Sequence, residues 1–182
     1  MRVDKIIGLA KQGNHDALHD LIESHLPIVE RFAYQIGVSA NDVEDVTQEV
    51  FIRVFRFIDQ FSGKTFSTWL YTITLNVARD YFKKTKREQN KIIALFREPT
   101  STVSSDKETF QNEEDAFLHK AIQDLDQKYK VPLVLYYFHD KKIQEISQIL
   151  SIPESTVKTR LSRAKSRLKK MIEEKGGEFD AK

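Results

Sequence analysis

The sequence predicts an all-α protein made of two small helical domains joined by a flexible linker. Apolar residues recur at helical spacing over most of the chain, and the scattered β-branched residues do not alternate with polar ones as they would in a sheet. This periodicity fails around residues 88–112, a polar segment that contains Pro99. We therefore expect a first domain at residues 1–87, the linker at 88–112, a second domain at 113–175 and a disordered tail at 176–182.

Each domain is predicted to contain four helices, placed where apolar side chains return every three or four residues. The third helix begins with carboxylates in its first turn, where the helix dipole favours them, and Pro153 is well placed to begin the last helix. The expected helices cover residues 2–12, 14–36, 40–61 and 66–87 in the first domain, and 113–125, 127–138, 142–150 and 154–174 in the second.

Composition limits the classes of function. The chain has 182 residues, and 40% of them are hydrophobic, which is enough for packed cores. Cysteine is absent, which excludes disulfides, thiolate metal sites and a cysteine nucleophile. No apolar run approaches the length of a membrane span, and the N-terminus does not resemble a signal peptide, so we expect a cytoplasmic protein without membrane insertion.

Charge is strongly segregated along the chain. The formal net charge is only +2, but residues 79–91 are basic, residues 98–126 are acidic, and the last helix is basic again. Two basic segments separated by an acidic one favour two contact sites for nucleic acid.

The last helix has the most informative pattern. Its apolar stripe is formed by Val157, Leu161, Ala164, Leu168 and Met171. Its opposite face bears Ser155, Thr159, Ser162, Arg163 and Ser166, flanked by Lys158 and Lys165 on one side and by Arg160 and Arg167 on the other. From Lys158 to Lys170 there are seven cations and no carboxylate. The positive charge of this segment is therefore not balanced within the helix, which favours binding of an anionic partner. Small polar groups between two rims of cations suit a helix in a DNA major groove.

The residues before this helix complete a helix-turn-helix pattern. Ile143, Ile146, Ile149 and Leu150 predict a short amphipathic helix, and residues 151–153 form a tight connection to the basic helix.

Two further surfaces in the first domain leave alternatives open. Gln48 and Glu49 lie beyond the first turn of their helix beside Phe51 and Phe55, which suits either a protein interface or ordinary surface. The fourth helix has a polar face beside the loop at residues 61–65, and this face either grips single-stranded nucleic acid or is simply solvated. Its members are Thr68, Thr72, Asn76, Arg79 and Lys83, while Trp69 falls on the apolar face and is expected in the core.

These residues resemble bacterial sigma-70 factors of the extracytoplasmic-function (ECF) group. The matching segments are KQGNHDAL at 11–18, DVEDVTQEVFIR at 42–53, FSTWLYTITLNVARDY at 66–81, LYYF at 135–138 and IPESTVKTRLSRA at 152–164. Their joint order is highly specific, whereas a helix-turn-helix alone is shared by many regulators.

The resemblance implies a non-enzymatic sigma factor, with sigma domains 2 and 4 and no cofactor or metal. Its partners would be promoter DNA and core RNA polymerase, contacted at the flap and at the coiled coil of the largest subunit. The polymerase-binding residues would be Asp45, Gln48, Glu49 and Phe55. An anti-sigma factor, which holds many members of the family, is a further candidate partner.

The resemblance also assigns the two DNA contacts. The −10 element would be held by a base-capturing loop with Phe61, Lys64, Thr65, Phe66, Ser67 and Thr68, by Asn76 reading a base, and by Arg79, Lys83 and Lys84 on the backbone. The −35 element would be read by Lys158, Thr159, Ser162 and Arg163 with Ser155 on the same face, while Thr156, Arg160 and Arg167 would contact phosphates.

The chain departs from the family pattern at a few positions. Ser155 replaces a common Gly, Ser147 a usual Ala, and Asp126 a common Pro. Lys142 stands where a small hydroxyl residue commonly begins the first helix of the motif, which makes Asp140 the candidate cap. None of these changes removes a predicted contact residue.

Two other functions remain to be separated from a sigma factor. A helix-turn-helix repressor or activator acting without core polymerase would bind as a symmetric dimer and leave a palindromic footprint. A purely protein-binding module, such as an anti-sigma factor, would leave the cations of the last helix unexplained. No catalytic constellation is evident, and His15 and His19 are expected to be ordinary surface residues.

Overall fold

The computed structural model describes residues 3–62, 65–96 and 113–179, and within them it confirms an all-α protein without strands. The chain divides into two compact units, the first formed by most of residues 1–106 and the second by residues 107–182 with a short segment after the second helix.

The first unit contains four helices. They are α1 (Val3–Lys11), α2 (His15–Gln35), α3 (Val43–Phe57) and α4 (Phe66–Phe96), with a 3-10 turn at Ile58–Gln60 after α3. Helices α3 and α4 pack along each other. The core is built from the apolar stripes of these helices and includes Leu21, Val29, Phe32, Val46, Val50, Val54, Leu70, Ile73 and Val77.

Polar side chains fix the start of α3 and its position on α4. Ser39 Oγ donates to Asp42 Oδ2 at 2.9 Å, and the Tyr81 hydroxyl on α4 donates to the same oxygen at 2.8 Å. Arg53 on α3 donates to Glu49 Oε1 at 2.8 Å and reaches Asp80 Oδ2 on α4 at 3.1 Å. These bonds hold the polar face of α4 in a fixed register against α3.

The second unit also contains four helices. They are α5 (Glu113–Gln123), α6 (Gln127–Tyr137), α7 (Ile143–Leu150) and α8 (Glu154–Phe179). Helix α8 packs against α5, α6 and α7, so the helix predicted to face DNA is also the centre of its domain. The core includes Leu125, Val131, Val134, Leu135, Ile146, Ile149, Val157, Leu161 and Ala164.

The turn between α7 and α8 is braced by its own polar groups. Ser151 adopts the left-handed conformation with φ of 54°, which reverses the chain at the end of α7. Ser147 Oγ donates to the Ile152 carbonyl at 2.5 Å, a bond that the usual Ala could not make. At the other end of α7, Glu145 Oε2 accepts from the Lys142 amide at 2.9 Å, so Glu145 rather than Asp140 caps the helix.

All eight predicted helices are present, but three of them end more than two residues from the predicted position. Helix α4 continues to Phe96, so residues 88–96 of the predicted linker are helical, and α8 continues to Phe179 into the predicted tail. In α4 the additional residues, EQNKIIALF, contain neither Pro nor Gly and are mostly good helix formers, so the loss of regular apolar spacing does not end the helix. The extension of α8 includes Gly176 and Gly177, and helix propensity does not explain it. Conversely, the third helix ends at Phe57, four residues earlier than predicted. The rest of the linker, residues 97–112, and the last three tail residues lie outside the described residues.

Candidate nucleic-acid interface

Helix α8 is sorted into a buried and an exposed face as predicted. Val157, Leu161 and Ala164 are buried, while Leu168 and Met171 at the far end are half-buried. The exposed residues of the predicted −35 set are Ser155, Lys158, Thr159, Ser162, Arg163 and Arg167, and the half-buried ones are Thr156 and Arg160. The helix therefore presents all eight predicted residues at least partly to solvent from one rigid element.

Two hydroxyl groups of this face are oriented by the helix itself. Thr159 Oγ1 donates to the Ser155 carbonyl at 2.9 Å, and Ser166 Oγ donates to the Ser162 carbonyl at 3.1 Å. Because each hydroxyl hydrogen is turned back to the helix, the oxygen lone pairs point outward as acceptors. Acceptors suit the amino groups that adenine and cytosine present in the major groove.

Helix α6 and Asp126, the residue before it, contact the arginines of α8. The Arg167 guanidinium lies 4.4 Å above the Tyr129 ring, and its Nη1 lies 3.1 Å from Asp126 Oδ2. Burial acts to raise the pKa of Tyr129, but a hydrogen bond from Arg163 to its hydroxyl, together with the charges of Lys128 and Arg167, lowers the pKa overall. Tyr129 is therefore a residue of the site that sequence reasoning missed, because its Leu-rich surroundings mark it only as core.

Helix α4 presents the predicted polar face to solvent. Asn76, Arg79, Lys83 and Lys84 are exposed, and Arg79 Nη1 lies 3.4 Å from Asn76 Oδ1. On the opposite face Phe66, Leu70, Ile73 and Val77 are buried, while Trp69 is half-buried rather than fully in the core. An exposed amide next to three cations can read a base edge and hold the adjacent phosphates.

The residues predicted as the base-capturing loop fall into two groups. Thr65 is exposed and Ser67 and Thr68 are half-buried, with the Thr68 hydroxyl oxygen itself buried, while Lys64 lies outside the described residues. Phe61 and Phe66 are buried in an aromatic cluster with Trp69, with ring centroids 5.1 to 5.7 Å apart. These two rings support the loop and are not free to stack on a base.

Lys11 is a second residue that sequence reasoning missed. Its ammonium donates to the Phe61 carbonyl and lies 5.6 Å from the centroid of the Phe61 ring, which ties α1 to the start of the loop. The contact joins residues fifty positions apart. No local pattern predicts such a pairing.

Two of the four predicted polymerase-binding residues, Gln48 and Phe55, line an apolar groove between α2 and α3, whereas Asp45 and Glu49 do not. Asp45 and Gln48 are exposed, Glu49 is half-buried, and Phe55 is 59% exposed. The groove has a volume of about 650 Å³, and its apolar lining comes from Leu18, Ile22, Leu26, Phe51, Ile52 and Phe55. The α2 residues were not predicted, since an amphipathic stripe does not reveal which part of it stays uncovered.

Comparison with known proteins identifies the family. Two family descriptions match the chain: Sigma-70 region 2 over residues 21–88 and Sigma-70, region 4 over residues 118–168. The ECF RNA polymerase sigma factor SigW of Bacillus subtilis is 30% identical over 188 residues, and the alignment covers 94% of this chain and 97% of SigW. The chain belongs to the ECF sigma-70 family.

Other relatives agree with this assignment. The RNA polymerase sigma factor SigV of Bacillus subtilis is 30% identical over 155 residues, covering 85% of this sigma factor and 90% of SigV. The sigma factor RpoE of Bartonella quintana, solved in complex with the anti-sigma factor NepR, has a TM-score of 0.69 at 21% identity, covering 85% of this chain and 96% of RpoE. That structural likeness supports the fold.

Family membership sets the general function. ECF sigma factors bind core RNA polymerase and promoter DNA and act as non-enzymatic initiation factors. The region 2 match falls on α2 to α4 and the region 4 match on α5 to α8, so the two exposed basic faces lie in different matched regions.

The described residues lack two other kinds of feature. Across the described ranges, no group of three or more His, Asp or Glu side chains is arranged to hold a metal ion. His15 is exposed, and His19 Nε2 lies 3.7 Å from Glu23 on the surface of α2. In the same ranges, no helix combines the length and the apolar character needed to cross a bilayer.

Proposed function

We propose that this sigma factor divides promoter recognition between its two units. Helix α8 reads the −35 duplex, with Lys158, Thr159, Ser162 and Arg163 at the bases. The polar face of α4 holds the melted −10 strand, with Asn76 at a base and Arg79, Lys83 and Lys84 on the backbone. The observation that carries the proposal is α8 itself, where seven cations between Lys158 and Lys170 have no carboxylate among them and the opposite stripe is buried.

The groove between α2 and α3 is the proposed docking surface for the coiled coil of the largest polymerase subunit. Phe55 and Ile52 are 59% and 50% exposed, which is unusual for large apolar side chains unless a partner covers them. The polar lining of this groove comes from Glu30, Glu44, Thr47 and Gln48, and an apolar centre with a polar rim is the usual build of a protein interface. Asp45 and Glu49 lie on the same helix outside the groove lining and are proposed as additional contacts.

The proposed mechanism is differential binding without catalysis by this chain. Contacts to core polymerase and to the −35 duplex supply the free energy for unstacking a −10 base, which costs a few kcal/mol. Bond formation belongs to the polymerase, so the sigma factor acts in the cytoplasm where that enzyme works. An anti-sigma factor, of the kind bound by RpoE of Bartonella quintana, is a proposed further partner.

Reconstituted transcription tests the proposal. Core polymerase with and without the full chain is supplied with a library of random promoters, and start sites are sequenced. We expect the chain to select promoters with two unlike elements. Arg163→Ala should reduce selected transcription by about 5- to 150-fold, since a bidentate base contact is worth about 1–3 kcal/mol. Lys120→Ala removes an exposed cation from α5 and should have little effect.

Two results would contradict the proposal. A palindromic footprint by the chain alone, unaffected by core polymerase, would indicate a repressor or activator. If Arg163→Ala left transcription unchanged, α8 would not recognise bases as proposed.

A further inference from the structure

Asp126 places a carboxylate on the proposed DNA side of α8. This residue precedes α6, and its Oδ2 lies 3.1 Å from Nη1 of Arg167, with both side chains more than half exposed. The Arg167 guanidinium also stacks on the Tyr129 ring at 4.4 Å. Asp126 and Tyr129 therefore fix the direction of the Arg167 side chain on α8.

The ion pair occupies the groups that a phosphate would use. A guanidinium binds carboxylate and phosphate with the same planar array of donors, so the two anions compete for it. The Tyr129 stack uses only the flat face of the guanidinium and does not compete. Asp126 therefore holds in the free protein the position that a DNA phosphate would take in the complex.

We propose that Asp126 is an intramolecular competitor that weakens the binding of α8 to duplex DNA. The inference rests on the proposed function, in which α8 lies on the duplex. Its consequence is that −35 binding by the free chain stays weak, so stable recognition depends on the additional contacts made within the polymerase complex.

The test measures binding of the full chain to a mixed-sequence duplex of about three helical turns by fluorescence anisotropy, over about 50 to 200 mM salt. Asp126→Asn keeps the size and helix-capping preference of the side chain and removes its charge. We expect two- to fivefold tighter binding, about the range that release of an exposed ion pair allows. The plot of log K against log salt should also become steeper by about 0.9, the value for one added phosphate contact.

Two further variants make the result specific. In an Arg167→Ala background, Asp126→Asn should bring much less gain, because the freed arginine is missing. Asp124→Asn removes an exposed carboxylate two positions earlier and should leave the salt slope unchanged. An equal gain from Asp124→Asn, or a full gain without Arg167, would overturn the inference.

Failure of this inference is distinguishable from failure of the proposed function. If Arg163→Ala weakens binding while Asp126→Asn changes nothing, α8 contacts DNA and the competition is absent. If neither Arg163→Ala nor Arg167→Ala weakens binding, α8 does not face DNA and both proposals are wrong.

Discussion

Single residues in the α7–α8 turn show how local conformation sets the recognition helix. Ser151 has φ of 54° and ψ of 45°, a left-handed conformation that costs a residue with a side chain about 1–2 kcal/mol relative to the right-handed one. The Ser147 hydroxyl accounts for part of the opposing stabilisation through its bond to the Ile152 carbonyl. The turn therefore depends on hydrogen bonding where many helix ends use glycine.

Ser151→Gly should stabilise the second unit. Glycine enters the left-handed region without steric cost, but it also gains freedom in the unfolded chain, so we expect a net gain of about 0.5–1 kcal/mol in the free energy of unfolding. Urea denaturation of the full chain, followed by circular dichroism, measures the change. Ser166→Gly, at an exposed helical position of α8, should instead destabilise by about 0.5 kcal/mol. A loss of stability with Ser151→Gly would show that the serine side chain holds the turn.

Lys11→Met tests the residue that ties α1 to the loop. The substitution keeps the length of the side chain and removes both the hydrogen bond to the Phe61 carbonyl and the contact of the cation with the Phe61 ring. We expect the first unit to lose about 1–2 kcal/mol of stability. Thermal denaturation provides the measurement, and Lys5→Met, at an exposed position of the same helix, is the matched control. Equal effects of the two variants would mean that the Lys11 contacts contribute nothing.

At the scale of helices, α3 has one face buried in the core and another that leaves apolar side chains exposed. Val46, Val50 and Val54 are buried in the core of the first unit, whereas Ile52 and Phe55 stay exposed in the groove with α2. Together with the apolar α2 residues of the groove, Ile52 and Phe55 form one contiguous apolar patch, the kind of surface that marks an interaction site. The structure thus favours the interface interpretation of the surface that the sequence left open.

Phe55→Ala and Val54→Ala should separate these two faces. Phe55→Ala removes a ring from the proposed docking surface, and we expect at least tenfold weaker binding to core polymerase with stability unchanged within about 0.5 kcal/mol. Val54→Ala leaves a cavity in the core and should cost about 2 kcal/mol of stability. Binding is measured with labelled full-length chain titrated with core polymerase. If a folded Phe55→Ala protein bound core polymerase with normal affinity, the docking surface would have to lie elsewhere on the protein.

At the scale of the whole molecule, the two basic faces belong to separate units with separate cores. Asn76 lies on α4 in the first unit, and Arg163 lies on α8 in the second. Sites that share no packing or hydrogen bonds contribute independently to binding. Promoter recognition should therefore be the sum of two contributions that the polymerase brings together.

The double variant Asn76→Ala with Arg163→Ala tests this independence. We expect the loss in free energy of promoter binding by the holoenzyme to equal the sum of the two single losses within about 0.5 kcal/mol. Asn76→Ala alone should mainly reduce strand opening, followed by permanganate reactivity of unpaired thymines, while Arg163→Ala should mainly reduce binding to the closed duplex. A coupling well above that limit would indicate that one unit alters the other.

Sequence reasoning was most successful where a pattern is local. Apolar periodicity predicted all eight helices, and the stripe from Val157 to Ala164 is buried with its polar face outward. It was least successful at helix ends, since α4 continues for nine residues past the expected boundary at residue 87, through a segment without Pro or Gly whose residues are mostly good helix formers. The roles of the site residues stay predictions, although the structure gives the helix and the exposure of each one within the described ranges.

The sequence alone determined the helical class, the basic recognition helix and the family, because these depend on periodicity, charge and residue order within short segments. Only the tertiary structure decided that Phe61 and Phe66 support the loop from inside, that Lys11 holds it, and that Asp126 pairs with Arg167. The last two contacts join residues fifty and forty-one positions apart. Such pairings follow from how helices pack in three dimensions, and no spacing along the chain encodes them.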